Sequence, residues 1–266
     1  MVQEVHRIFD IDFIYFDLML VTIWIVILLV RKRFKQLLIG LFGYGVTQFT
    51  DSVIWYTLRG TRHIGIEGDV IGPHLFLTYF SFTYGMIMFS YAVLMYDRKI
   101  HWIEKALYSA LMWCGWLAIG LISQNVAWND TTIDIYREMA QSRLIQIIAV
   151  CVEYLILIIW KLVSVYKNGF PWNLMKTVRW WYIGLIFLIG FFIHFSMEST
   201  LMIAGIRPLD WSVFFFNSFI EFNTGAPILF IVWVLWNMKD YKPNVDAIVE
   251  IHEKDITSLQ TEPIKE

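Results

Sequence analysis

The sequence predicts an all-α, polytopic membrane helical bundle of about seven transmembrane helices. Three observations predict it. Of the 266 residues, 58% are hydrophobic and only 17% charged, whereas a water-facing globule carries about 25% charge. The apolar residues come in runs close to the roughly 20 residues that a helix needs to cross a bilayer. Lysine and arginine concentrate in alternate connecting segments, the charge asymmetry of a multi-pass chain.

The runs are Phe13–Val30, Leu37–Leu58, His74–Tyr96, Ala106–Gln124, Ile145–Tyr166, Trp181–Ile206 and Ser212–Met238. The first reads as a retained span. Glu4, Asp10 and Asp12 precede it and Arg31-Lys32-Arg33 follow it, the reverse of a secretory signal. With the N-terminus outside, the inner segments hold Arg31, Lys32, Arg33, Lys35, Arg98, Lys99, Lys105, Lys161, Lys167, Lys176, Arg179, Lys239 and Lys242. The outer segments hold only Arg7, Arg59, Arg62, Arg137, Arg143 and Arg207. The positive-inside rule therefore puts the C-terminus in the cytoplasm. Trp102, Trp128, Trp172, Trp180, Trp181 and Trp211 fall near the span ends as an aromatic belt.

Residues 1–238 thus form the transmembrane domain and residues 239–266 a polar cytoplasmic tail. Val245, Ile248, Val249, His252, Ile256 and Leu259 make a broken apolar stripe there, open to a short amphipathic helix or to disorder. Asn129-Asp130-Thr131 is a formal glycosylation sequon in an outer segment. Cys114 and Cys151 lie in apolar runs and give neither a disulfide framework nor metal-ligand spacing.

An internal duplication is expected. Asp17, Leu20, Ile23 and Trp24 of the first span match Glu153, Ile156, Ile159 and Trp160 of the fifth without a gap. Gly43, Asp51 and Ser52 of the second match Gly190, Glu198 and Ser199 of the sixth, and Gly60-Thr61-Arg62 then matches Gly205-Ile206-Arg207. Phe82 and Gly85 of the third match Phe222 and Gly225 of the seventh. Two parallel units, 13–96 and 145–238, joined by a linker helix over 106–124, account for these matches. Chance likeness between apolar helices is the alternative, and a carboxylate landing on a carboxylate in two pairs argues against it. In topology this plan resembles the SWEET sugar carriers, although their proline pattern is missing, with only Pro73 and Pro227 in or beside the spans.

Charged side chains inside a bilayer are costly and mark function by default. Asp17, Asp51, Glu153, Glu198 and Glu221 lie within the spans, with His194, Gln48, Asn217 and Asn223 beside them. At about 1.5 Å of rise per residue, all five acids fall between mid-membrane and the outer half. His194 and Glu198 are four residues apart, as are Asn217 and Glu221, so each pair shares a helix face. The expectation is a catalytic set of Glu198, Glu221, Asp51 and His194, with Asn217, Asn223, Gln48, Glu153 and Asp17 contacting substrate. Burial and crowding would keep at least one of Asp51, Glu198 and Glu221 protonated. His194 is expected to orient Glu198. The structural alternative is that these groups bond one another as interhelical glue, with Arg7, Arg59, Arg62 or Arg207 pairing with Asp17 and Glu153.

No phosphate-binding glycine loop, zinc motif or nucleophile elbow is present, so no cofactor or metal is expected. His63 and His74 beside Glu67 and Asp69 make too loose a set for a metal site. Expected partners are membrane lipids and a small apolar or amphipathic ligand, not nucleic acid. One functional expectation is an intramembrane isomerase or cyclase that transfers protons to a lipid or isoprenoid, the logic of membrane sterol isomerases and terpene cyclases. A proton-coupled or facilitative small-solute transporter is the alternative. A seven-helix receptor or sensor is the third reading, without the span-7 lysine that a retinal protein needs.

Overall fold

A computed structural model of the chain describes residues 4–126, 128–129, 131–138 and 140–241. Six helices are long and apolar enough to cross a membrane, which makes this a multi-pass membrane protein. They are α1 (Asp12–Val30), α2 (Phe34–Leu58), α3 (Pro73–Tyr96), α4 (Trp102–Ser123), α5 (Ala140–Tyr166) and, after the short α6 (Trp172–Lys176), α7 (Trp181–Ile203). The shortest of the six, α1, has 19 residues and is about 28 Å long at 1.5 Å per residue, close to the hydrocarbon thickness. Two shorter apolar helices, α8 (Trp211–Ile220) and α9 (Ala226–Trp236), follow, then α10 (Met238–Tyr241).

Among the six, α3 is the most buried and α5 the least. Leu144, Ile148, Leu155, Ile159 and Leu162 of α5 are exposed, the apolar outer surface that lipid requires. Small residues let α2 and α3 touch. A Cβ on Gly85 would stand 3.0 Å from the Gly43 carbonyl oxygen and 2.4 Å from Thr47 Oγ1, so the backbones meet where side chains are absent. Trp24 fixes α1 to α3 by donating from Nε1 to Ser90 Oγ at 2.8 Å. Pro73 and Pro227 both lie in the first turn of a helix, where proline removes no intrahelical hydrogen bond.

One departure from the all-α expectation is a three-stranded antiparallel sheet, with β1 (Glu4–Asp10), β2 (Arg62–Ile66) and β3 (Thr132–Glu138) in the order β1-β3-β2. Arg7 pairs with Ile135, and Arg62 with Arg137. Strand side chains alternate between faces, so Arg7, Phe9, Arg62, Ile133, Ile135 and Arg137 share one. That face lies on the helices, with Phe9, Arg62, Ile133, Ile135 and Arg137 buried. His6, His63 and Tyr136 share the opposite face, where both imidazoles stack on the tyrosine at centroid distances of 5.2 and 4.3 Å. Each strand is short and its partner is distant in sequence. Arginines at inward positions also hide the apolar–polar alternation that marks a strand.

The strands come from before α1, between α2 and α3, and between α4 and α5. The α7–α8 connection joins them, since Ile8 N donates to Ile206 O at 2.9 Å. These four segments therefore occupy one end of the bundle. At the other end Arg33 forks onto Glu104 with two 2.9 Å contacts, Gln36 donates to Asp97 at 2.9 Å, and Lys35 donates to Asn237 at 2.6 Å.

A second departure concerns the run Ser212–Met238. It is interrupted by a five-residue turn, Glu221 to Gly225, between α8 and α9. A third is within α2, which is α-helical over Phe34–Gln48 and π-helical over Phe49–Leu58. The tail positions from Val245 to Leu259 lie outside the described residues.

Gly85→Ala is expected to destabilise the chain by about 1–3 kcal/mol, because α2 and α3 must separate. Gly45→Ala, where an added Cβ meets nothing within 4 Å, serves as the control. Thermal unfolding of the two variants in one detergent checks this, and equal midpoints would remove the close-contact account.

Candidate functional site

The inner face of the sheet closes over three intramembrane carboxylates and supplies them with cations. Asp51 is in the π-helical part of α2, 1% exposed. It accepts from Tyr84 OH of α3, and Arg62 Nη1 of β2 lies 2.7 Å from its Oδ2. Glu198 of α7 is fully buried. Arg207 Nη1 donates to it, Asn217 Nδ2 of α8 donates at 3.0 Å, and Arg7 Nη2 of β1 stands 3.6 Å away. Glu221 opens the turn between α8 and α9. Arg137 Nη2 of β3 lies 3.4 Å from its Oε1, and His194 Nδ1 of α7 lies 3.3 Å from its Oε2.

Two of these pairings are built alike. Asp51 and Glu198 each precede a helix end at which a glycine with positive φ, Gly60 at 60° or Gly205 at 73°, turns the chain. Such a conformation suits glycine because it has no Cβ. The second residue after each glycine is the arginine that returns to the acid.

The cations crowd one another. Arg62 and Arg137 are directly opposed across β2 and β3, an arrangement that like charges disfavour. Both lie against the Trp55 ring, at 5.2 and 3.9 Å from its centroid, where the π face offsets part of the repulsion. Burial pushes the Arg137 guanidinium below its usual range. Burial and then the neighbouring Arg7 bring Arg207 down to about 10. Arg62 Nε, Arg137 Nε, and both Nε and Nη2 of Arg207 are buried without a hydrogen-bond partner. Among the described residues Arg7, Arg62, Arg137 and Arg207 thus share Asp51, Glu198 and Glu221.

Two small cavities flank this cluster. One, of about 20 Å³, is lined by Arg7, Arg62, Phe80, Ile135, Arg137, Asn217 and Glu221, with room for about one water-sized occupant. The other, of about 30 Å³, is lined by Arg7, Phe13, Asp17, Phe80, Tyr84, Trp116, Met197, Thr200 and Leu201. Asp17 is 2% exposed and accepts from Tyr79 OH at 3.1 Å, while its other oxygen has no hydrogen-bond partner. A larger crevice of about 530 Å³ opens at the opposite end, beside Arg31, His101, Glu104 and Tyr108.

The structure therefore brings together Asp51, Glu198, Glu221, His194 and Asn217 of the expected set, with two changes of partner. His194 faces Glu221 instead of Glu198, although its Nδ1 is off line for a hydrogen bond. Arg62 and Arg207 pair with Asp51 and Glu198, not with Asp17 and Glu153. Asp51, Glu198 and Glu221 each have a cationic partner. Asp17, beside the cluster, accepts from Tyr79 and has no cationic partner among the described residues.

The remaining expected residues sit apart from these contacts. Asn223, in the turn between α8 and α9, accepts from Tyr154 OH of α5 at 2.7 Å and donates to Phe219 O at 2.9 Å. A Cβ on Gly190 would lie 2.3 Å from Asn223 Oδ1, so that glycine admits the turn. Gln48 Nε2 donates to Thr78 Oγ1 at 3.2 Å. Glu153 is half-buried on α5, with one carboxylate oxygen unbonded. His63 stacks on Tyr136, His74 Nδ1 lies 3.3 Å from Ser52 Oγ, and Glu67 accepts from Thr132 Oγ1 at 3.0 Å. Among the described residues no group of three or more His, Cys, Asp or Glu could hold a metal ion.

Arg137 is the site residue that sequence reasoning missed, while Arg7, expected beside Asp17 or Glu153, contacts Glu198. Its signal was the alternation Ile133-Asp134-Ile135-Tyr136-Arg137, which places Arg137 on the apolar side of a strand.

The chain matches no protein-family model, and no curated protein or solved structure matches it either.

Glu198→Gln is expected to cost about 3–5 kcal/mol, because Arg207 is left as a buried, unpaired cation. The double variant Glu198→Leu with Arg207→Leu should recover part of that loss. Thermal unfolding of both checks it. A single variant as stable as the wild type would show that the pair contributes nothing.

Proposed function

We propose that this chain is a carrier for a small solute, with the arginine–carboxylate cluster as the gate at one end of its path. The observation that carries this reading is the interruption of the last apolar stretch at Glu221, in contact with Arg137 and His194. An irregular backbone at membrane depth is tolerated only where it is buried in protein or lines a cavity, and broken helices build the binding sites of many secondary transporters. In this reading α8 and α9 together make a seventh, discontinuous crossing. The π-helical part of α2 that holds Asp51 is a second irregularity at the same cluster, and π-type turns concentrate at functional sites.

The duplication belongs to the same reading. Asp51 with Gly60 and Arg62, and Glu198 with Gly205 and Arg207, form two acid–glycine–arginine units at matched positions of the two halves. This likeness supports parallel repeats 13–96 and 145–238 about the linker helix. The gate would open when the sheet's arginines leave these acids, and the backbone bonds within the sheet would move them together. Asp17 supplies the coupling proton, since it is buried beside the gate with a free oxygen and no cationic partner among the described residues. The sheet end faces outside, because the lysines of the described residues lie at the other end, with Arg31, Arg33, Arg98 and Arg179.

Proton transfer to an apolar substrate is the second reading. Asp17 favours it, as a carboxyl group in a cavity walled by Phe13, Phe80, Tyr84 and Trp116.

Osmotic swelling of proteoliposomes in iso-osmotic sugars, amino acids, organic acids and inorganic salts tests the carrier reading. Selective entry of one class is expected, and vesicles tight to every class would overturn it. Asp17→Asn can still accept the Tyr79 hydrogen bond, so it should fold. It is expected to abolish acceleration of uptake by a proton gradient while leaving solute exchange intact. If uptake in this variant still follows the gradient, Asp17 is not the coupling group. Cysteines placed after Arg59 are expected to react with an impermeant reagent from outside, and cysteines at Lys99 are not. The reverse pattern would invert the orientation.

A further inference from the structure

We infer that the small cavity between Arg7, Arg62, Arg137 and Asn217 binds a monoanion, either a halide ion or the carboxylate of an organic solute. As the site of a transported solute it rests on the carrier reading.

The argument begins with charge. Asp51 is held by Arg62 and Tyr84, and Glu198 by Arg207 and Asn217. Glu221 is left for Arg137 at a long 3.4 Å. Arg7 shares with Arg207 the Glu198 that lies 3.6 Å from it, and Asp17 lines a second cavity that it borders. Among the described residues three guanidiniums, of Arg7, Arg62 and Arg137, thus border the cavity with one carboxylate, Glu221, a costly arrangement in a buried site without a further anion nearby.

The donors are built in. Arg62 and Arg137, each only 7% exposed, border the cavity and keep a buried Nε–H with no partner. Asn217 adds an amide to the wall. The direct opposition of Arg62 and Arg137 is the arrangement an anion between them would relieve. Its volume of about 20 Å³ sets the size. A halide or one carboxylate oxygen fills it, and a tetrahedral dianion is too large. Phe80, Ile135 and the Glu221 carboxylate complete the wall; three arginines against one acid keep the lining net positive, and the apolar pair strengthens each charged contact.

Trp55 gives a direct readout, because the Arg137 guanidinium lies 3.9 Å from its ring centroid. The full chain, purified in detergent, is titrated with chloride and with acetate at constant ionic strength, each replacing sulfate. A saturable change in tryptophan fluorescence is expected, absent in Trp55→Phe. Arg7→Gln is expected to raise the half-saturating concentration by roughly tenfold or more, the effect of losing one charged hydrogen-bond donor. Arg59→Gln, an exposed arginine outside the cluster, should titrate like the wild type. Tighter chloride identifies a halide site and tighter acetate a carboxylate site, and either supports the inference. No saturable response, or an unchanged titration in Arg7→Gln, overturns it.

Should Arg7→Gln fail to fold, the wild-type thermal midpoint decides. A bound anion must raise it with concentration, chloride or acetate above sulfate, and equal midpoints in all three salts overturn the site. Anion binding without flux in the vesicle assay would overturn the carrier reading and leave the site standing. Flux of neutral solutes alone, with no anion titration, would do the reverse.

Discussion

Each carboxylate buried within an apolar bundle costs several kcal/mol unless a cation is held against it, and the architecture at one end of this protein follows from that constraint. Glu198 is fully buried and Asp51 nearly so, while the lipid-facing helix surfaces offer no counter-charge. The cations arrive from the connecting segments. To hold them, those segments need a fixed geometry, and three of them obtain it by pairing as a sheet. The sheet is thus a device for presenting Arg7, Arg62 and Arg137 at one depth, with Ile133 and Ile135 sealing the space between them.

Backbone chemistry reinforces the arrangement. Strand edges near a membrane must find hydrogen-bond partners, and here β3 satisfies β1 on one side and β2 on the other. The outer edge of β1 is engaged in turn by the α7–α8 connection, through Ile8 N and Ile206 O. That contact brings Arg207 beside Arg7, so both halves of the chain meet at Glu198. Tight pairing also explains why the cavities are small. Any path through this end requires several ion pairs to separate together, as a gate requires.

Much of this was legible in the sequence. Spans one to six, their alternating ends and the clustering of Asp51, Glu198, Glu221 and Asn217 all follow from apolar run length and helical spacing. Local patterns carry those features. The sheet was not legible, because its register depends on partners distant in sequence, Arg7 with Ile135 and Arg62 with Arg137, and several of its inward positions are arginines. The turn at Glu221 is marked locally only at its close, by Gly225 and Pro227, and the glycine that admits it, Gly190, is on another helix. The exchange of His194 from Glu198 to Glu221 came from treating one helix face as sufficient. Position on α7 allowed either partner, and Arg207 had already taken Glu198.

The order of the strands along the chain has a consequence for biosynthesis. The central strand, β3, is the last of the three to be made, so β1 and β2 have no partner until α4 has left the ribosome. Asp51 does not have to wait for it, because Arg62 follows eleven positions later, and Glu198 is followed by Arg207 after nine. Each of these acids can therefore enter the bilayer already neutralised by an arginine from its own helix end. Glu221, the last of the three clustered acids to emerge, meets an Arg137 that has been made before it. Insertion can proceed helix by helix, with the sheet added as a late clasp over charges that were balanced locally at each step.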